Sequence, residues 1–176
     1  MHLSPNRPGR LNYAAQVAKN YLLSRKWALT DQFAITDETG APQFEVQGRL
    51  RFSRTLTIRD IAGREAAVLS KGPWSRGFEI SAGGHRATVR PRGFLGQHFE
   101  IESGGDHLEA RGNFSGRQYV VARAGVPVAA ISQQRSLRER FAVQVEDGED
   151  PVLQLAVVLA IETIRADRRR AGMAGG

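Results

Sequence analysis

The sequence PVLQLAVVLAIETI, residues 151–164, is apolar at almost every position, and the rest of the chain must be arranged around it. Asp150 before it is a favourable N-cap and the proline that follows suits the first helical position, so the stretch predicts an α-helix. Its polar residues are Gln154, Glu162 and Thr163, and a helix that is apolar on nearly every face must be buried on all sides. At roughly 21 Å it is too short to cross a hydrocarbon core of about 30 Å. We therefore expect other parts of the chain to enclose it.

The chain before this helix repeats a short pattern in which alternating apolar residues are followed by a turn. The alternation starts anew at positions 33, 56, 78, 99, 119 and 141. Glycine-containing turns, such as Asp37-Glu-Thr-Gly40 and Ser103-Gly-Gly-Asp106, follow five of the six starts. Each repeat predicts a β-hairpin, because a period of two marks a strand and glycine supplies the positive φ of a tight turn. Five hairpins give ten strands, and segments 21–25 and 141–145 bring the total to twelve.

Even spacing and short connections favour an antiparallel sheet in which each strand lies beside the next one in sequence. Closing that sheet into a barrel removes its two exposed edges. Eight strands enclose a space that their own side chains fill, whereas twelve leave a lumen. Small residues that we expect to face the lumen leave room for a helix: Ala66, Ala87, Ala110 and Ala129.

The predicted fold class is therefore mainly β: a twelve-stranded antiparallel closed barrel around a central hydrophobic C-terminal α-helix. We expect one barrel domain over residues 20–166. Residues 1–19 are expected to be a flexible N-terminal segment, and residues 167–176 a flexible basic C-terminal tail.

Several of these segments together resemble a known family. The succession of FAITDETGAPQFEVQG (33–48), LTIRDIAGREAAVL (56–69), FEISAGGHRATVR (78–90), YVVARAGVPVAAIS (119–132) and RERFAVQVEDGED (138–150) before the helix is similar to the LURP-one-related proteins, as a bacterial member. The resemblance covers about residues 20–165. It implies a superfamily shared with the tubby C-terminal domain and the phospholipid scramblases, which have a twelve-stranded barrel around a hydrophobic helix. It also implies a non-catalytic domain, since tubby domains bind phosphoinositides and scramblases act at membranes.

The residues themselves argue against an enzyme and against a bound cofactor. The chain has no cysteine, which excludes disulfides, thiolate metal sites and cysteine nucleophiles. It has no G-x-G-x-x-G, no P-loop and no G-x-S-x-G motif. Its four histidines never form H-x-x-x-H, so we expect no metal site. The sequence does not begin with an apolar secretory run, so we expect a cytoplasmic protein. If it associates with a membrane, we expect it to do so peripherally at the inner face. We expect a monomer by default.

The charges are sorted along the chain. Lysine and arginine number 25 against 18 acidic residues, for a net charge of +7. In an up-and-down barrel the connections between repeats share one end, and these connections hold most of the arginines. The turns within repeats share the other end with the segment 146–150, and together they hold most of the carboxylates. Codon bias can supply many arginines but does not sort them, and the helix macrodipole favours the same arrangement. Two interpretations stay open: a contribution to fold stability, or a surface that attracts an anionic partner.

The second interpretation gives the candidate site. We expect it to bind an anionic phospholipid or another polyanion, with nucleic acid ranked lower, through these cations: Arg49, Arg51, Arg54, Lys71, Arg76, Arg90 and Arg92. If the first five of them form a contiguous patch, they should act together on anionic ligands and contribute little to folding. The superfamily leaves a scramblase-like membrane activity as one alternative, and a protein-interaction scaffold is another.

The same connections repeat an aromatic residue or leucine: Phe52, Trp74, Phe94, Leu95, Phe114 and Leu137. Buried, these side chains would close the end of the barrel. Exposed beside arginine, they would suit an anionic lipid interface or the stacking of single-stranded nucleic acid. Their spacing does not choose between these roles.

Overall fold

A computed structural model describes residues 18–25, 32–50, 54–93, 98–115, 117–133 and 140–173. Arg51 of the predicted site lies outside these residues, as do four of the repeated apolar positions: Phe52, Phe94, Leu95 and Leu137. The predicted N-terminal segment also lies outside them up to residue 17.

Twelve antiparallel strands form one closed barrel, which confirms the predicted fold. Each strand pairs with its neighbours in sequence, and the last strand pairs with the first. The strands are β1 (Lys19–Arg25), β2 (Phe33–Asp37), β3 (Pro42–Leu50), β4 (Arg54–Asp60), β5 (Glu65–Lys71), β6 (Phe78–Ala82), β7 (His85–Arg92), β8 (His98–Ser103), β9 (Asp106–Asn113), β10 (Gln118–Arg123), β11 (Val126–Gln133) and β12 (Arg140–Val145).

Alternate residues of each strand face the interior and form the core, as the period of two predicts. Ala87, Ala110 and Ala129 are buried as expected. Ala66 is not, and Ala67 takes the inward position instead. The reason is a β-bulge: Ile58 pairs with Ala67 and Arg59 pairs with Glu65, which leaves Ala66 as an extra residue.

The single helix of the described chain, α1 (Pro151–Met173), fills the barrel and lies closest to β5, β6 and β7. Asp150 caps it, because its Oδ1 accepts hydrogen bonds from the backbone N–H groups of Val152 at 2.9 Å and Leu153 at 3.3 Å. Its predicted polar positions are buried, with Gln154 2 % and Glu162 4 % exposed.

The sequence predicts a helix that ends at residue 164, but α1 continues to Met173. Residues 167–173 are therefore helical where a flexible basic tail is expected. The alanine and arginine residues of this stretch favour a helix, and Asp167 within it forms ion pairs with the barrel wall. These contacts hold the last turns against the protein.

The strand order places successive connections at opposite ends of the barrel. We call one end the basic end: it carries the connections β1–β2, β3–β4, β5–β6, β7–β8, β9–β10 and β11–β12, together with the C-terminal part of α1. The opposite end, the turn end, carries the tight turns within the hairpins and the start of α1.

Candidate anion-binding surface at the basic end

The carboxylates of the turn end build its turns. The Asp37 carboxylate accepts hydrogen bonds from the Thr39 hydroxyl and from backbone N–H groups, including that of Ala41 at 3.0 Å. Asp60 accepts in the same way from the backbone N–H groups of Ala62 and Arg64, both at 2.9 Å. The Thr39 hydroxyl lowers the pKa of Asp37, and the Arg64 backbone N–H lowers the pKa of Asp60. Part of the acidic charge at this end therefore has a structural reason.

Two carboxylates of α1 bind cations at the basic end, and the first of them is Glu162. Its oxygens accept hydrogen bonds from the Tyr119 hydroxyl at 3.1 Å, Arg117 Nε at 3.0 Å and Arg165 Nη1 at 2.7 Å. Burial, followed by the charge of Glu162, raises the pKa of Tyr119 well above its ordinary value. Arg165 also donates to the Phe114 carbonyl and lies over its ring at 5.7 Å. The buried acid is therefore fully paired.

The second carboxylate is Asp167, which binds two residues of the predicted site. Its Oδ1 forms an ion pair with Arg54, and its Oδ2 lies 3.3 Å from Lys71 Nζ. Arg54 is 8 % exposed and the Lys71 side chain 20 % exposed. The expectation that these two cations contribute little to folding is therefore corrected, because both join the barrel wall to the helix.

The other predicted site residues are exposed. Arg92 is paired, since its Nε lies 2.5 Å from Glu100 Oε1, and this hydrogen bond raises the pKa of Arg92. Arg49, Arg76 and Arg90 form no ion pair within the part of the chain that the structure describes.

The structure brings some of these residues together and separates others. Arg76 and Arg90 are close, because Gly77 lies directly against β7: a Cβ on Gly77 would collide with the Val89 carbonyl and the Arg90 side chain. Arg49 lies on β3, with β4 and β5 between it and β6. The predicted contiguous patch is therefore reduced, among the described residues, to the region around the β5–β6 connection.

A pocket of about 580 Å³ opens beside this region, between the β5–β6 connection, the end of β7 and the last turns of α1. Lys71, Arg76, Asp167 and Arg168 contribute its charged lining. Arg168 Nη1 is buried without a hydrogen-bond partner. Arg168 is not among the site residues predicted from the sequence, because residue 168 is expected to lie in a flexible tail. The helix-favouring composition of 165–171 was the available signal.

The repeated apolar residues of the connections differ in burial. Phe114 is 4 % exposed and packs against Phe99 and Tyr119, so it closes the barrel end. Trp74, in the β5–β6 connection, is 95 % exposed. Met173, at the end of the helix, is 82 % exposed. The basic end thus presents large apolar side chains to solvent next to unpaired arginines.

Two classes of feature are absent from the residues that the structure describes. They contain no helix that is long and apolar enough to span a bilayer. They also contain no group of three or more histidine, aspartate or glutamate side chains arranged to hold a metal ion.

Comparison with known proteins agrees with the architecture. A family model described as LURP-one-related matches residues 19–162. The X-ray structure of a protein from Arabidopsis thaliana is similar, with a TM-score of 0.65 and 19% sequence identity over 86% of this chain and 93% of that chain. At this identity the likeness supports a shared fold alone. No curated protein matches this chain.

Proposed function

Because the chain belongs to the LURP-one-related family, as the match over residues 19–162 establishes, we propose that it is a non-catalytic binding module that docks on anionic membrane lipid through its basic end. The family and the barrel fold suggest a ligand-binding module in general. Our proposal goes further and names an anionic lipid surface as the ligand.

The observation that carries the proposal is the exposure of Trp74 beside unpaired arginines. A tryptophan with 95 % of its surface in water buries almost nothing in this protein. Tryptophan is enriched where one part of its ring meets hydrocarbon and another meets water, and arginine is attracted by anionic headgroups. Arg76 follows Trp74 by two positions and is exposed as well. This combination suits the surface of an anionic bilayer.

The neutralised cations support the same choice. Arg54, Lys71, Arg117 and Arg165 are paired with carboxylates of α1 and are accounted for by the fold. Arg76 and Arg90 have no such role in the described structure, and exposed cations without a partner retain their full attraction for anions.

We expect R76Q/R90Q to weaken binding to anionic vesicles by roughly 30-fold, since each basic residue near such a surface contributes about 1 kcal/mol. The measurement is co-sedimentation with vesicles of phosphatidylcholine plus phosphatidylserine, compared with phosphatidylcholine alone. The wild type should sediment with the first and not with the second.

The matched control is R64Q/R86Q, which removes the same charge from exposed arginines at the turn end. It should bind as the wild type does. Equal weakening by both double variants would show that net charge alone drives the association, and wild-type binding to neutral vesicles would refute the proposed electrostatic docking.

A further inference from the structure

We propose that the pocket beside the β5–β6 connection binds a phosphate monoester, with Arg168 and Arg76 as its principal donors. The inference rests on the proposed docking of this same end, and it goes further by naming the chemical group that the pocket takes. That group can be carried by a lipid headgroup or by a small phosphorylated molecule, and the experiment below separates the two sources.

Arg168 is the first feature of the pocket that favours a phosphate. Its Nη1 is buried and has no hydrogen-bond partner, although the residue lines the pocket. A buried donor without a partner is costly, and a guanidinium is the side chain whose planar N–H groups match two phosphate oxygens at once. Nη1 has almost no surface open to the pocket, so the guanidinium must turn towards the opening for a phosphate oxygen to become its acceptor.

The net charge of the pocket lining also favours a phosphate monoester. Lys71, Arg76 and Arg168 carry three positive charges against the single negative charge of Asp167, so two positive charges remain. A phosphate monoester carries about −1.5 to −2 near pH 7 and matches that excess, whereas a single carboxylate or phosphodiester carries only one negative charge.

A local turn holds the backbone of Arg76, the second arginine of the pocket. Ser75 forms a local turn in which its hydroxyl donates to the Gly77 carbonyl at 2.9 Å and accepts from the Gly77 N–H at 3.2 Å. Arg76 lies between these two residues, so its backbone is held at the pocket wall. The volume of about 580 Å³ lies within the range of about 300–1,000 Å³ that is typical of small-ligand pockets.

The test compares R168Q with R170Q, which removes the same charge from an exposed position on the same helix. Three probes are used: glycerol 3-phosphate, phosphatidic acid vesicles and phosphatidylserine vesicles of matched surface charge. Phosphatidic acid presents a phosphate monoester and phosphatidylserine does not. Wild type and R170Q should prefer phosphatidic acid, and R168Q should lose that preference by about tenfold to a hundredfold.

The outcomes separate this inference from the docking proposal. If R168Q and R170Q behave alike with every probe, the phosphate pocket is refuted, and docking stands if vesicles still bind. If glycerol 3-phosphate binds wild type and not R168Q while no vesicle binds, the pocket stands with a small-molecule source and docking is refuted. Denaturation curves of both variants check folding. R168K, which keeps the charge but loses the planar fork, should show a partial loss of the phosphatidic acid preference.

Discussion

At the scale of single residues, arginines that look equivalent in the sequence have opposite roles. Arg49 and Arg54 bracket the same connection, yet Arg49 is exposed and Arg54 is buried against Asp167. A buried ion pair that loses one partner leaves the other charge uncompensated, whereas an exposed arginine is solvated whether or not it has a partner.

This contrast gives a matched pair of stability variants. We expect R54Q to lower the free energy of unfolding by about 1–3 kcal/mol, because Asp167 would keep only Lys71. R49Q removes the same charge and should change it by less than about 0.5 kcal/mol. Urea denaturation measures both variants. A double-mutant cycle with D167N tests the coupling, and additive effects of R54Q and D167N would contradict the role assigned to this pair.

At the scale of elements, Glu162 fixes the helix inside the barrel. An apolar helix in an apolar lumen has weak preferences for its depth and rotation, whereas a buried carboxylate must meet its donors. Those donors come from β10 through Tyr119 and from the β9–β10 connection through Arg117, so the Glu162 network joins the helix to one side of the wall. Asp167 joins it to β4 and β5.

The raised pKa of Tyr119 makes this attachment sensitive to high pH. The folded state keeps the phenol neutral while the unfolded state ionises near 10.0, so its contribution is fully present below that pH and is lost as the pH rises further. We expect Y119F to cost about 1–3 kcal/mol at neutral pH, and this difference from the wild type to shrink above pH 10. The free energy of unfolding of Y119F and of the wild type, measured from neutral pH to above pH 10, checks this prediction. A difference that stays constant with pH would contradict the Tyr119–Glu162 interaction.

At the scale of the whole molecule, the alternation of an up-and-down barrel separates the charges. Carboxylates gather where tight turns need Asx hydrogen bonds and where α1 begins, and cations gather at the other end. The last turns of α1 bring two carboxylates into the cationic end and neutralise part of it. Among the described cations that stay exposed and unpaired, Arg76 and Arg90 lie beside the β5–β6 connection that carries Trp74.

This arrangement predicts different salt dependences for folding and binding. Raising the ionic strength from about 0.05 M to about 0.5 M should sharply weaken association with anionic vesicles, because exposed charges are screened over a few ångströms at high salt. The free energy of unfolding should change little, since Glu162 and Arg54, which form the central ion pairs, are buried. Vesicle binding and urea denaturation are measured at both salt concentrations. If the affinity for vesicles and the free energy of unfolding fall together, the separation of binding cations from structural cations is contradicted.

The sequence by itself determined the barrel, its strand order and the enclosed helix. Alternation with a period of two, glycine at each tight turn and an apolar helix too short for a bilayer are local signals that need no partner to be recognised. Those signals failed at the bulge, where Ala67 and not Ala66 takes the inward position. They also failed at the end of α1, where ion pairs of Asp167 with distant residues hold turns that were expected to be a tail.

The division between structural and unpaired cations was decided only by the tertiary structure. Asp167 meets Arg54 across 113 positions and Lys71 across 96, and the sequence does not indicate which of many arginines a carboxylate so distant will select. The pocket also exists only because α1 runs past the β5–β6 connection at one particular depth. Local patterning fixes which elements form, whereas the pairing of charges depends on where closure of the barrel brings those elements together.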